Sequence, residues 1–134
     1  MTLFGGSQTG TRGRTGPALY TMLATGVLTY MASHPNALRG LLDKFHNAGE
    51  GDAAHSWVGN GPNAPIHPQA VQQALGRQDI EQIAQQSGLS PQETVEGLPH
   101  VLPNVVDKLT PHGEVPPPNI LQQGINFLKN SLRK

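Results

Sequence analysis

The stretch IAQQSGLSPQETVEGL, residues 83–98, ends one helix and starts another within a few residues. Ile80, Ile83 and Ala84 share a face at helical spacing. Gly88 suits the left-handed position just past a helix end, and Leu89 can fold back onto Ile83 or Ala84. Ser90 then reads as an N-cap, Pro91 as a first-turn residue and Glu93 as the reciprocal partner of a capping box. Beyond it Val95, Leu98, Leu102, Val105, Val106 and Leu109 keep helical phase across Pro99 and Pro103. Each interior proline costs about 3 kcal/mol in an undistorted helix. We therefore expect a kink or break near Pro103, with both halves on the same core.

Working towards the N-terminus, Pro68 opens a helix with Val71, Ala74 and Leu75 inward and Gly76 as its stop. Leu38, Leu41, Leu42 and Phe45 form another apolar stripe, closed by Gly49 and Gly51. Asp52 can cap a short turn over 53–58. Pro17 suits a first helical position, followed by Leu19, Met22, Leu23, Gly26, Val27 and Tyr30 on one face. Leu28 and Met31 widen that face until something must bury it. Ser33, His34 and Pro35 end this helix. Residues 1–16, MTLFGGSQTGTRGRTG, have the composition of an arm. Towards the C-terminus, TPHGEVPPP (110–118) reads as a turn and extended spacer. A last helix carries Leu121, Ile125, Leu128 and Leu132, with Lys129, Arg133 and Lys134 favourably placed at its end.

No stretch alternates with a period of two, and no internal repeat stands out. The expected fold is all-α: a compact bundle of about six or seven short helices behind a Gly-rich arm. The divisions are an arm at 1–16, an apolar helix at 17–35 and a helical domain at 36–134.

The 134 residues are 36% apolar and carry 16 Gly, 12 Pro and no Cys. Without cysteine there are no disulfides, thiolate nucleophiles or cysteine zinc sites, and a cytoplasmic chain is expected. Formal charge is zero overall but uneven. Arg12, Arg14, Arg39 and Lys44 outweigh Asp43 and Glu50 in residues 1–50. Asp52, Asp79, Glu81, Glu93, Glu96 and Asp107 outweigh Arg77 and Lys108 in 51–110. Lys129, Arg133 and Lys134 outweigh Glu114 after that. The apolar run 18–32 contains Thr21, Thr25 and Thr29 and is shorter than the roughly 20 residues a bilayer span needs.

Six histidines invite a metal or general-base reading, but none forms a close ligand pair such as HExxH. Ser56 beside His55 lacks a GxSxG context. The Gly59–Gly61 stretch lacks the fuller glycine pattern of a phosphate loop. No catalytic residue, metal ligand or cofactor is expected. The segment SWVGNGPNAPIHP (56–68) reads as a pinned loop in which Trp57 plugs the gap between helices, its indole N–H needing a partner.

Together, DAAHSWVGNGPNAPIHPQAVQQALG (52–76) and IAQQSGLSPQETVEGLPHVLPNVVDKLTPHGEVP (83–116) resemble the YidB-like family, bacterial proteins of uncharacterised function. The resemblance covers about 37–115. Trp57, Gly59, Gly61, Asn63 and Pro65 match its first loop; Leu109, Thr110, Pro111, Gly113 and Pro116 match the second. His112 stands where an acidic residue is expected. The resemblance implies a compact all-helical domain with a homeodomain-like arrangement, and brings neither catalytic residues nor a cofactor.

The functional expectation is a non-catalytic module for protein–protein contact, self-associating or binding another protein. Leu19, Met22, Leu23, Val27 and Tyr30, with Arg12 and Arg14 of the arm, are the candidate contact residues. On this reading, deleting residues 1–32 leaves a smaller, soluble, folded particle. The alternative is nucleic-acid binding through 78–102, which resembles a helix-turn-helix. It is opposed by Glu93 and Glu96 and by the lack of any Lys or Arg between 78 and 107. Membrane association is not favoured.

Overall fold

The computed structural model describes residues 16–34, 36–59 and 61–132. Among these residues the chain forms α-helices and no strand: α1 (Gly16–Ser33), α2 (Ala37–Phe45), α3 (Gly51–Val58), α4 (Pro68–Ser87), α5 (Pro91–Leu109) and α6 (Pro118–Leu132). The expected all-α class holds. A π-helical turn, His46–Glu50, joins α2 to α3.

The opening stretch of sequence forms the junction it encodes. Gly88 is left-handed at φ 74°, and Leu89 N–H donates to the Ala84 carbonyl at 3.1 Å. That bond and Gly88 N–H to Gln85 O make a Schellman stop. Two residues later Ser90 Oγ accepts from Glu93 N–H at 3.1 Å, while Glu93 Oε1 accepts from Ser90 N–H at 2.9 Å. The reciprocal pair satisfies two donors that an uncapped helix start would leave orphaned.

Gly76 leaves helical geometry at φ 79°, ψ 168°, so α4 bends there between its Val71–Leu75 and Ile80–Ala84 faces. Gly49 does the same inside the π turn at φ 86°. Two local expectations are corrected. Gly51 is the first residue of α3 rather than a stop, and Asp52 lies in the first turn, with Glu50 in the cap position and no side-chain cap bond. The expected break at Pro103 is absent: α5 runs from Pro91 to Leu109 through both prolines. Its apolar face holds it against the core on both sides of each proline, with Leu98, Leu102 and Val106 fully buried. Helix packing thereby overrides the local cost of the missing donors.

Helix α1 is the centre of the packing. It lies most extensively against α4 and also meets α5 and α6. This explains why it is apolar around so much of its girth: Leu23 and Val27 are 0% exposed, Leu28 1% and Met31 4%. A deletion of residues 1–32 therefore removes a core wall, and the expectation of a folded particle without it is withdrawn.

Candidate functional site

The Trp57 loop is fastened from both ends. Trp57 is fully buried, and its ring meets Phe45 edge-on with centroids 5.4 Å apart. Its Nε1–H donates to the Ala64 carbonyl at 2.9 Å. Ala64 N–H in turn donates to Ser56 Oγ at 2.9 Å, and that hydroxyl donates to Ala53 O at 2.6 Å. Asn63 Nδ2–H donates to Pro103 O at 3.3 Å, tying the loop to α5. Thr110, 1% exposed, donates from Oγ1 to Val106 O at 2.8 Å and stands 3.4 Å from Val58 O.

Ser56 thus spends its proton on α3 backbone and a lone pair on loop backbone, which a nucleophile must keep free. His55 and His67 are both exposed. Among the described residues no cluster of three His, Asp or Glu side chains is placed to hold a metal ion. Trp57 and Asn63 carry the fastening, and Thr110 of the second matched stretch joins it; Ser56, weighed in the sequence only as a nucleophile, and Ala64, not singled out there, share it. Gly59, Gly61 and Pro65 make no contact that requires them: a Cβ at Gly61 meets nothing within 4 Å, and Pro65 is exposed.

The residues expected to mediate self-association are largely consumed inside the chain. Leu23 and Val27 are 0% exposed, and Leu19, Met22 and Tyr30 are partly buried against the same core. Tyr30 Oη–H donates to Asp79 Oδ1 at 3.4 Å, and Lys44 Nζ pairs with Asp79 Oδ2. This couples α1, α2 and α4. The Tyr30 pKa is raised, first by burial and then by the Asp79 carboxylate, against an opposing pull from Lys44. Arg12 and Arg14 lie outside the described residues.

Surface of another kind surrounds α6. Ile125 is the one residue of α6 that is fully buried, while Leu121, Leu128 and Leu132 are half-buried. Ile120 and Phe127, two turns apart on a single flank, are 49% and 70% exposed. Ile120 on that flank borders a trough between α6 and α5 made of two cavities. One, about 650 Å³, has Leu109, Val115, Ile120 and Leu121 among its walls, with Arg39, Lys108 and His112. The other, about 470 Å³, is bordered by Leu28, Val101, Val105 and Leu128, with Lys108 and the Tyr20–His100 stack at its rim. Lys108 lines both. Neither Arg39 nor Lys108 forms an ion pair with a described residue; the ion pairs among the described residues are Lys44–Asp79 and the exposed Arg77–Glu81.

The trough needs residues 39, 108 and 120 to converge, and only the packing reveals that. The flank itself was visible: Ile120 and Phe127 fall off the Leu121–Ile125–Leu128–Leu132 stripe, an apolar pair on what should be the wet side.

The sequence model of a family described as YidB-like protein matches residues 2–118. This is wider at the N-terminus than the 37–115 resemblance, and takes in α1. The chain is similar to the "Uncharacterized protein YidB" of Escherichia coli (strain K12), 29% identical over 96 residues, which span 69% of this chain and 73% of that one. No solved structure matches the chain.

Proposed function

The chain belongs to the YidB-like protein family, and we propose that it is a non-catalytic helical module that works by protein–protein contact, with copies of itself as the partner. The observation that carries this is the flank of α6. Ile120, 49% exposed, borders an apolar trough, and Phe127, two turns along the same flank, is 70% exposed. A large apolar group left wet beside an apolar groove gains most by meeting its like.

Charge supports the same reading. Arg39 and Lys108 form no ion pair with a described residue at the trough, while Glu81 and Glu96 are exposed on α4 and α5. One copy can therefore offer cations where another offers carboxylates, which favours encounter and register more than raw affinity. The non-catalytic part rests on Ser56 and Trp57, whose polar atoms are bound to backbone of α3 and of the loop. The proposed place of action is the cytoplasm: a chain without cysteine asks nothing of an oxidising compartment, and cell fractionation checks it. No helix among the described residues is long and apolar enough to cross a membrane.

Nucleic-acid binding is the rival, because α4, the Gly88 turn and α5 do form a helix–turn–helix junction. The exposed positions of α5 near that turn are Pro91, Gln92, Glu96 and His100, which bring a carboxylate and no Lys or Arg. Light scattering across concentration tests the leading reading: mass should rise with concentration towards a dimer or higher form. A monomer at every concentration overturns it. Binding to duplex DNA at low salt that weakens steeply with added salt would install the rival instead.

A further inference from the structure

We infer that α6 is an exchangeable segment, seated on α1 of its own chain in the monomer and on α1 of a second copy in the assembled form. The inference rests on the self-association reading and supplies its geometry.

The observations come from the way α6 is attached. It follows a left-handed Gly113 at φ 77° and a short link, Glu114 to Pro117, that contains no helix. Consecutive prolines hold such a link near extended geometry, so it behaves as a strut rather than as slack. The seat is narrow. Helix α6 packs chiefly on α1 and only thinly on α5, the helix from which its link departs. The trough already described separates α6 from α5 on one side. On the other a cavity of about 320 Å³ opens between it and the α1–α2 corner, lined by Met31, Leu38, Asn119 and Gln122. Ile125 is its single fully buried residue, whereas α5 buries Leu98, Leu102 and Val106 completely. An element with few buried groups sits at the low-stability end of a fold and opens first.

What α6 leaves behind when it opens is apolar: Leu28 and Met31 of α1 and Val101 and Val105 of α5 line its seat. The chemistry that fits this seat is an amphipathic helix with Leu121, Ile125, Leu128 and Leu132 on one face, and a second copy carries that helix. Exchange remakes the same contacts between chains, so it adds no new burial cost. It also brings two hinges and two outward flanks close together, giving Ile120 and Phe127 a surface to meet. The family match ends at residue 118, where α6 begins, so the seat lies within the matched region and α6 beyond it.

Hinge length is the test, because an ordinary surface contact does not depend on it. Full-length chain is compared by light scattering with two variants: one lacking Glu114–Pro117, and one with six Gly/Ser residues inserted between Pro116 and Pro117. The shortened link cannot return α6 to its own α1, so this variant should be dimeric down to the lowest concentration measured. The lengthened link raises the effective concentration of α6 at its own seat. It should shift the dimer dissociation constant at least about tenfold towards monomer. Trp57 fluorescence reports whether each variant is folded; if the shortened one is not, the lengthened one still decides. Equal monomer–dimer ratios in all folded forms overturn the exchange. If those forms are equally dimeric and Phe127→Glu dissociates them, self-association stands and exchange falls. If every form is a monomer, both readings fall.

Discussion

Gly26 of α1 lies against the main chain of Ser87 in α4: a Cβ built on Gly26 comes to 2.8 Å from Ser87 Cα. The two helices cross there without room for a methyl group: Ser87, only 7% exposed, places its hydroxyl in that space, 1.9 Å from such a Cβ, while donating to Ile83 O at 2.7 Å. Gly40 of α2 is the contrast, since a Cβ there meets nothing within 4 Å. Gly26→Ala should therefore destabilise the fold by about 1–3 kcal/mol through overpacking. Gly40→Ala should stabilise it by about 0.5–1 kcal/mol through helix propensity alone. Urea unfolding of both variants checks the opposite signs; equal effects would show that α1 and α4 are not in close contact.

Trp57 is the chain's single tryptophan and is fully buried. Its emission should be blue-shifted in the native state and move red on unfolding. Trp57→Ala should cost about 3–5 kcal/mol. Trp57→Phe keeps most of the ring but strands the Ala64 carbonyl, which should cost about 1–3 kcal/mol. A native emission maximum typical of a wet indole would refute the plug.

Tyr30 makes the fold sensitive to alkali. Its pKa is raised above the ordinary value near 10, chiefly by burial and next by Asp79. The folded state thus holds the phenol proton more tightly than the unfolded chain. The associated stability is complete below pH 10 and is lost as pH climbs from there through the folded value. Tyr30→Phe keeps the Lys44–Asp79 pair, so subtracting its curve from that of the unaltered chain isolates the phenol. Unfolding free energies from pH 8 to 11 should fall more for the unaltered chain. Parallel curves would sink the assignment.

Capping chemistry and periodicity made most of the fold legible. Gly88, Ser90 and Glu93 lie close together along the chain, so their bonds follow from local order. The stripes on α1, α2, α4 and α5 were readable because burial selects apolar side chains at helical spacing. What buries each stripe was not readable. Leu23 and Val27 look the same in sequence whether α4 and α5 or a second chain covers them. Pro103 misled for the same reason, since a proline's local cost is visible and the packing that outweighs it is not. Asn63 reaches Pro103 and Arg39 shares a cavity with Lys108 and Ile120, partners that local order does not reveal.

Ser90→Ala removes one arm of the capping box and should cost about 1 kcal/mol. Gly88→Ala forces a Cβ into the left-handed region at φ 74° and should cost at least about 1 kcal/mol. The two sites share one turn, so the double variant should deviate from the sum of the singles. Denaturant titration of the three variants measures that coupling, and strict additivity would mean that the stop and the start form independently.

Phe127→Glu separates assembly from stability. The side chain is 70% exposed and lies on the wet flank of α6, away from Ile125. Replacing it should move the unfolding free energy by no more than about 0.5 kcal/mol. A carboxylate has to shed its water to enter an apolar contact, so any assembly that buries residue 127 should weaken by tenfold or more. Sedimentation across concentration alongside urea unfolding reads both quantities on the same sample. Loss of mass without loss of stability places residue 127 in the contact between copies. Loss of stability without change of mass would instead make α6 a purely internal prop, and the exposed flank would have no part in self-association.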